Sequence, residues 1–237
     1  MKKLSKKTIS LLFITSIALN VLFLGYELKK NLLTHSQSKL EQEPEIKQPD
    51  SIPYFIGRNE VFVKLPNDSN EVIMLGNSLT HNFEWHEMFR SANIKNRGIN
   101  ADVTKGVLQR LDEVIESKPN KIFIEIGIND ILNNYSIDSI YRNYVKIIVT
   151  IKRKSPETKI YIQSLLPSAK SLNSKIIDLN KRLEDYCVKN NIVFIDLYSS
   201  FVSGQILNPN YDCGDKLHLS GAGYLEWCRL IKDYINE

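Results

Sequence analysis

A three-layer α/β/α domain, with a parallel sheet of about five strands between two sets of helices, is the fold class this sequence predicts. Three observations predict it. Short uninterrupted apolar runs recur along the chain, as strands buried on both faces require. Segments with apolar residues at helical spacing lie between them. The two kinds alternate strictly from about residue 71 onward, which calls for crossover helices covering both faces of one sheet. The first 26 residues add an N-terminal membrane helix to that domain.

That helix is read from Thr8–Tyr26, nineteen residues without a charge. At about 1.5 Å per residue they reach roughly 28 Å, close to the ~30 Å hydrocarbon core of a bilayer. Lys2, Lys3, Lys6 and Lys7 precede the run, and Glu27, Lys29 and Lys30 follow it. The lysines belong on the cytoplasmic side, which puts a single-pass anchor in the cell membrane and the rest of the chain outside the cytoplasm. A cleaved signal peptide, leaving a secreted or periplasmic protein, is the alternative. It fits less well, because Val21-Leu22-Phe23-Leu24-Gly25-Tyr26 offers no small-x-small site and Ser16-Ile17-Ala18 comes too early. Residues 27–53 read as a flexible tether: they hold few apolar residues, no sustained period, and Pro44, Pro49 and Pro53. The globular domain then occupies 54–237.

The strands follow in order. Val72-Ile73-Met74-Leu75 runs into Gly76, Ile94–Ile99 makes a shorter second strand, and Lys121–Ile126 runs into Gly127. Lys159–Gln163 and Ile192–Asp196 repeat the pattern. Between them, Thr104 can cap a helix whose apolar face is Val107, Leu108, Leu111, Val114 and Ile115, ended by Pro119. Helices over Ser139–Lys154, Leu172–Asn190 and Ser220–Ile235 complete the set. In such sheets the functional site lies at the carboxyl ends of the strands, which singles out Ser78, Gly98, Asn129 and the loop before Ser220.

Composition removes several other classes. A chain of 237 residues with 43% hydrophobic and 24% charged residues buries an ordinary core. Its net charge of +4 is accounted for by the four N-terminal lysines, so the body is neutral and lacks the basic footprint of a nucleic-acid partner. Cys187, Cys213 and Cys228 are odd in number for an exported domain. Buried free thiols are the favoured state, and a Cys213–Cys228 disulfide is the alternative. No metal or cofactor is implied, since the chain has no His-x-x-x-His pair, no Cys-x-x-Cys and no glycine-rich phosphate loop.

The chemistry can be read at the strand ends. Ser78 follows a buried strand and opens a helix, where free backbone N–H groups can receive a developing oxyanion. A serine hydroxyl needs a base. His218 lies just before the last helix in Asp215-Lys216-Leu217-His218, with Asp215 placed to hold its imidazole. Asn129 offers an amide N–H, and Gly98 an unhindered backbone N–H. His81 is a rival base without an evident partner, so it reads as a pocket or surface residue. Trp85 either packs over the site or staples the helix. Each of these residues alone has a plain structural reading, Ser78 as a helix cap or Asn129-Asp130 as turn residues. Their joint occurrence at four strand ends favours a site.

Gly76-Asn77-Ser78-Leu79-Thr80, Asn96-Arg97-Gly98-Ile99, Gly127-Ile128-Asn129-Asp130 and Asp215-Lys216-Leu217-His218 resemble, in order, the four blocks of the SGNH hydrolases, also called GDSL esterases. The resemblance spans about residues 71–235. It implies a flavodoxin-like fold, Ser78 as nucleophile, Asp215 and His218 as acid and base, and Ser78, Gly98 and Asn129 as donors to the oxyanion. Asn77 departs from the aspartate usual before the serine. The implied substrate is a small-molecule or glycan acyl ester, with O-acetyl on a glycan favoured. A lysophospholipase or lipase and an acyltransferase use the same triad, and a non-catalytic glycan-binding or envelope scaffold protein is the alternative of another class.

Overall fold

The structure, a computed structural model, describes residues 52–68 and 70–237. The membrane run and the tether up to residue 51 lie outside the described residues. Among the described residues no helix is long and apolar enough to cross a membrane.

Five strands form one parallel sheet: β1 (Val72–Gly76), β2 (Ile94–Gly98), β3 (Lys121–Glu125), β4 (Lys159–Gln163) and β5 (Val193–Ile195). Their order is β2-β1-β3-β4-β5. The direction of winding reverses at β1, so a crevice opens outside the carboxyl ends of β1 and β3. The register sets Gly76 opposite both Gly98 and Glu125, which brings three strand ends to one level. β1 and β3 are buried along their whole length, as their continuous apolar runs require.

The principal helices are α1 (Ile52–Lys64), α4 (Thr104–Glu116), α6 (Ile137–Lys154), α7 (Asn173–Lys189) and α9 (Gly221–Asn236); α2 (Ser78–His81), α3 (Trp85–Met88), α5 (Ile128–Leu132) and α8 (Tyr198–Phe201) are single turns. α6 buries Ile140, Tyr144, Ile147, Ile148 and Ile151, the stripe its sequence announces, and Ser136 caps it by accepting from Ser139 N. Ser220 caps α9 through Gly223 N. At α4 the cap differs from expectation. Thr104 is the first helical residue, and its N–H and hydroxyl both donate to the buried Asp130 carboxyl, at 3.0 and 2.5 Å. A carboxylate from another element therefore serves the α4 N-terminus.

α1 is the element the sequence reading missed, and it begins at Ile52, inside the stretch read as tether. Its apolar residues surround the helix without forming one stripe. Phe62 is buried, while Tyr54, Ile56, Val61 and Val63 remain exposed, so no clear helical period shows. The Arg58 and Arg97 guanidinium groups lie 4.7 and 4.8 Å from the centre of the Phe62 ring and hold it to the β2 edge.

An aromatic cluster joins the two ends of the chain that meet at the site. Trp85 is fully buried, edge-on to Phe83 and Trp227, and its Nε1 donates to Thr80 O at 2.8 Å. Trp85 thus staples the turn after α2. Tyr224 of α9 stacks on Phe83 and donates to Leu79 O at 2.9 Å, tying α9 directly to α2. All three cysteines are free. Cys187 and Cys228 are buried as expected, but Cys213 is exposed, because it sits in the loop before His218 while Cys228 belongs to the packed face of α9 beside Trp227.

Candidate active site

β1 delivers Ser78 through a turn with no space for side chains beneath it. A Cβ on Gly76 would lie 2.2 Å from Thr80 Oγ1 and 2.3 Å from Glu125 O. Asn77 is fully buried and caps α2, its Oδ1 accepting from Leu79 N at 2.9 Å. Ser78 is the first helical residue, so its N–H has no intrahelical acceptor and opens into the crevice end of the sheet.

The loop before α9 brings in the base. His218 Nε2 lies 2.9 Å from Ser78 Oγ, and His218 Nδ1 lies 2.6 Å from Asp215 Oδ2. Asp215 Oδ1 accepts from Leu217 N at 2.9 Å and His218 N at 2.8 Å, so one carboxylate binds both the backbone and the ring of the same segment. Partial burial acts against ionisation of Asp215, but these hydrogen bonds and the neighbouring imidazole outweigh it and bring its pKa down to about 2. The carboxylate accepts from Nδ1–H, which leaves the Nε2 lone pair facing the serine hydroxyl. This is the proton-accepting geometry that nucleophilic catalysis by serine requires. The loop holds itself: Gly214 N and Lys216 N donate to Asp212 Oδ1 at 2.8 and 3.0 Å, and Ser168 Oγ donates to Lys216 O at 2.7 Å.

Asn129 is the second residue of α5, at the end of β3. One hydrogen of its Nδ2 goes to Asp102 O at 2.9 Å, and the second is free for an oxyanion. Gly98 does not fill the role expected of it. Its N–H donates to Asn96 Oδ1 at 2.9 Å, and its lack of a side chain serves packing, because a Cβ there would lie 2.3 Å from His81 N. The open amide of this loop is further on. Asp102 N donates to Ile99 O, closing a turn in which Ala101 has φ +61°, and no acceptor faces the Ala101 N–H among the described residues.

Two residues that the sequence reading left without a role hold these parts together. Asn96 Nδ2 lies within 2.9 to 3.1 Å of Thr80 O, His81 O and Phe83 O, which places it under the carbonyl end of α2. Arg110 is fully buried; its Nη2 donates to Gly76 O at 3.2 Å and Arg97 O at 2.8 Å, and its Nε to Asp102 Oδ2 at 2.9 Å. It therefore joins the ends of β1 and β2 to the loop that carries Ala101. Gly106 makes room for this pair, since a Cβ there would lie 2.0 Å from Asp102 Oδ1. The signal for Arg110 was a buried-face position of α4 occupied by a charge, between Val107 and Leu111. His81 has both ring nitrogens engaged, Nδ1 with Gly98 O at 3.2 Å and Nε2 with the Tyr54 hydroxyl at 3.3 Å. Neither nitrogen is paired with Ser78, whose hydroxyl meets His218 instead.

Directly beneath the site lies Glu125, the last residue of β3. It is fully buried, neither carboxyl oxygen has a partner among the described residues, and burial raises its pKa to about 8. Asp130, also buried, is pushed up to about 7 against the lowering effect of its bonds to Thr104.

Residues 74–225, spanning all four motifs, match the GDSL-like lipase/acylhydrolase family. The chain belongs to that family. A rat platelet-activating factor acetylhydrolase IB subunit alpha2 is 28% identical over 175 residues, covering 70% of this chain and 76% of that protein. The crystal structure of a Bacteroides fragilis protein assigned as an acylhydrolase superposes with a TM-score of 0.68 at 32% identity, covering 75% of this chain and 93% of the other. A GDSL-like lipase from Bacteroides thetaiotaomicron gives 0.69 at 28% identity, over 77% of this chain and 97% of its own. As a GDSL-type acylhydrolase the protein is an ester hydrolase with a parallel five-stranded core. α1 precedes the matched residues.

Proposed function

We propose that this GDSL-type esterase is held at the outer face of a membrane by its N-terminal segment and removes short acyl groups, O-acetyl on glycans in particular, through Ser78, His218 and Asp215. The imidazole bridging Asp215 Oδ2 and Ser78 Oγ, at 2.6 and 2.9 Å, carries the reading. His218 Nε2 takes the Ser78 proton as Oγ bonds to the ester carbonyl carbon. The resulting oxyanion lies toward the Ser78 N–H, the free Asn129 Nδ2 hydrogen and the Ala101 N–H. His218 then returns its proton to the leaving alkoxide as the C–O bond breaks. In the second half, His218 deprotonates a water that attacks the acyl-Ser78 carbonyl, and Ser78 leaves with that proton.

The acetyl preference draws on the relatives named as acetylhydrolases at 28% identity. The membrane location draws on the uncharged run Thr8–Tyr26. The test is covalent labelling of the full chain with a fluorophosphonate and mapping of the tagged residue, together with rates on p-nitrophenyl acetate and palmitate. A tag on Ser78, lost in Ser78→Ala, and faster acetate turnover are the expected results. A tag on another serine overturns the residue assignment. Faster palmitate turnover overturns the short-acyl reading in favour of a lipase. Transfer of the acyl group to added sugar in preference to water makes the enzyme an acyltransferase, and inertness to the phosphonate with intact glycan binding makes it a binding protein.

A further inference from the structure

α1 lies outside the family-matched residues, and its Tyr54 side chain meets the helical turn that Ser78 opens. The Tyr54 hydroxyl lies 3.3 Å from His81 Nε2, and the two rings stand nearly perpendicular, 86° apart with centroids 6.4 Å from each other. Gly98 O can only accept, so His81 Nδ1 carries the ring proton that binds it, and Nε2 accepts from the Tyr54 O–H. His81 is thereby fixed in one tautomer and one orientation. It stands three residues after Ser78 on the same helical turn, where side chains project to one side with Cβ atoms about 5–6 Å apart. Tyr54 consequently stands against a residue one helical turn from the nucleophile, with 42% of its surface exposed.

From this geometry we infer that Tyr54 and His81 form a subsite for the alcohol side of the ester, and that its occupant is a carbohydrate ring. This rests on the glycan-ester reading above. Tyr54 presents an aromatic surface to stack on the C–H face of a pyranose, and its phenolic oxygen, already donating to His81, keeps a lone pair for a sugar hydroxyl. The surroundings are polar: Asn82 and Glu84, in the turn after α2, are both exposed. A sugar finds hydrogen-bonding groups there beside an aromatic ring, which an alkyl chain cannot use. The acyl group occupies the space toward Asn129, and the sugar that carries it extends past His81 toward α1.

The experiment uses the full chain in detergent and compares kcat/KM for O-acetylated xylo-oligosaccharides with kcat/KM for ethyl acetate. Tyr54→Ala is expected to lower that ratio at least about fivefold, acting through KM for the sugar ester. Tyr54→Phe keeps the ring and is expected to hold more than half of the ratio. Val63→Ala, on the same helix but away from His81, is expected to leave it where it is. A ratio unchanged in Tyr54→Ala overturns the subsite, as does an equal loss on both substrates. A loss that appears with dodecyl acetate in place of the sugar ester overturns the choice of occupant. Calorimetric binding of unacetylated xylotriose to Ser78→Ala separates this inference from the function it rests on. Binding that Tyr54→Ala weakens supports the subsite even if the sugar ester is not cleaved; binding that is absent, or indifferent to Tyr54, overturns it.

Discussion

Replacing Glu125 by glutamine should make the protein more stable, by an amount that grows with pH. The carboxyl is fully buried, without a partner among the described residues, and burial raises its pKa from 4.5 to about 8. Between those values the unfolded chain carries an ionised glutamate while the folded chain keeps it protonated. The unfolded state then binds fewer protons, so folding stability falls as pH rises through this window and levels off above the folded pKa. Each unit of difference is worth about 1.36 kcal/mol, so between pH 5 and pH 7.5 the wild type should lose about 3 kcal/mol that the Glu125→Gln protein does not lose. Asp130 titrates in both proteins and drops out of the difference. Urea unfolding of the two proteins at pH 5, 6, 7 and 8 measures the effect. Parallel stability curves would refute the reasoning, since they would mean that Glu125 is ionised in the folded protein or titrates alike in both states.

Asn129→Ala should retain the fold and lower kcat at least about a hundredfold, since one oxyanion donor is worth about 2.7–4 kcal/mol of barrier; steady-state rates on p-nitrophenyl acetate check it. Ala101→Gly should stabilise the protein by about 0.5–1 kcal/mol, the relief of φ +61° exceeding the added chain entropy, as read by urea unfolding. Arg110→Met should destabilise by about 3–5 kcal/mol, because it leaves the buried Asp102 carboxyl without its cation, and the pair Arg110→Met with Asp102→Leu should recover much of that loss in a double-mutant cycle. Asn96→Ala should cost about 1–3 kcal/mol by stripping the donor from the carbonyl end of α2, measured by thermal unfolding.

The parallel sheet was legible because its strands are buried on both faces. Val72–Leu75 and Ile122–Ile124 have no polar position to blur the pattern, and their ends at Gly76 and near Gly127 are marked by residues that no side chain could replace there. α6 was legible through one clear stripe, although it starts at Ile137 under a Ser136 cap and not at Ser139, and α9 through its Ser220 cap. α1 was not, because it is held by Phe62 and two guanidinium groups and leaves much of its apolar surface outside. Thr104 misled as a cap for a related reason: the group that serves the α4 N-terminus is Asp130, 26 positions away, and no local pattern announces it.

Of the candidate site, Ser78, Asn129, Asp215 and His218 could be singled out from the chain alone, since hydroxyl, amide, carboxylate and imidazole are groups that acyl-transfer chemistry restricts tightly. Gly98 could be named but not given its task. Whether its N–H is open depends on Asn96 two residues before it, whose side chain also reaches the carbonyls of α2, and such an arrangement exists only once β2 lies beside the turn after β1.

The order of residues thus determined which chemistry is available and at which strand ends it stands, because burial and helical period are local properties of the polymer. Folding alone decided which hydrogen bonds are already taken. An amide is a donor at every position but proline, and only its neighbours in space leave it free, as at Ala101, or occupy it, as at Gly98.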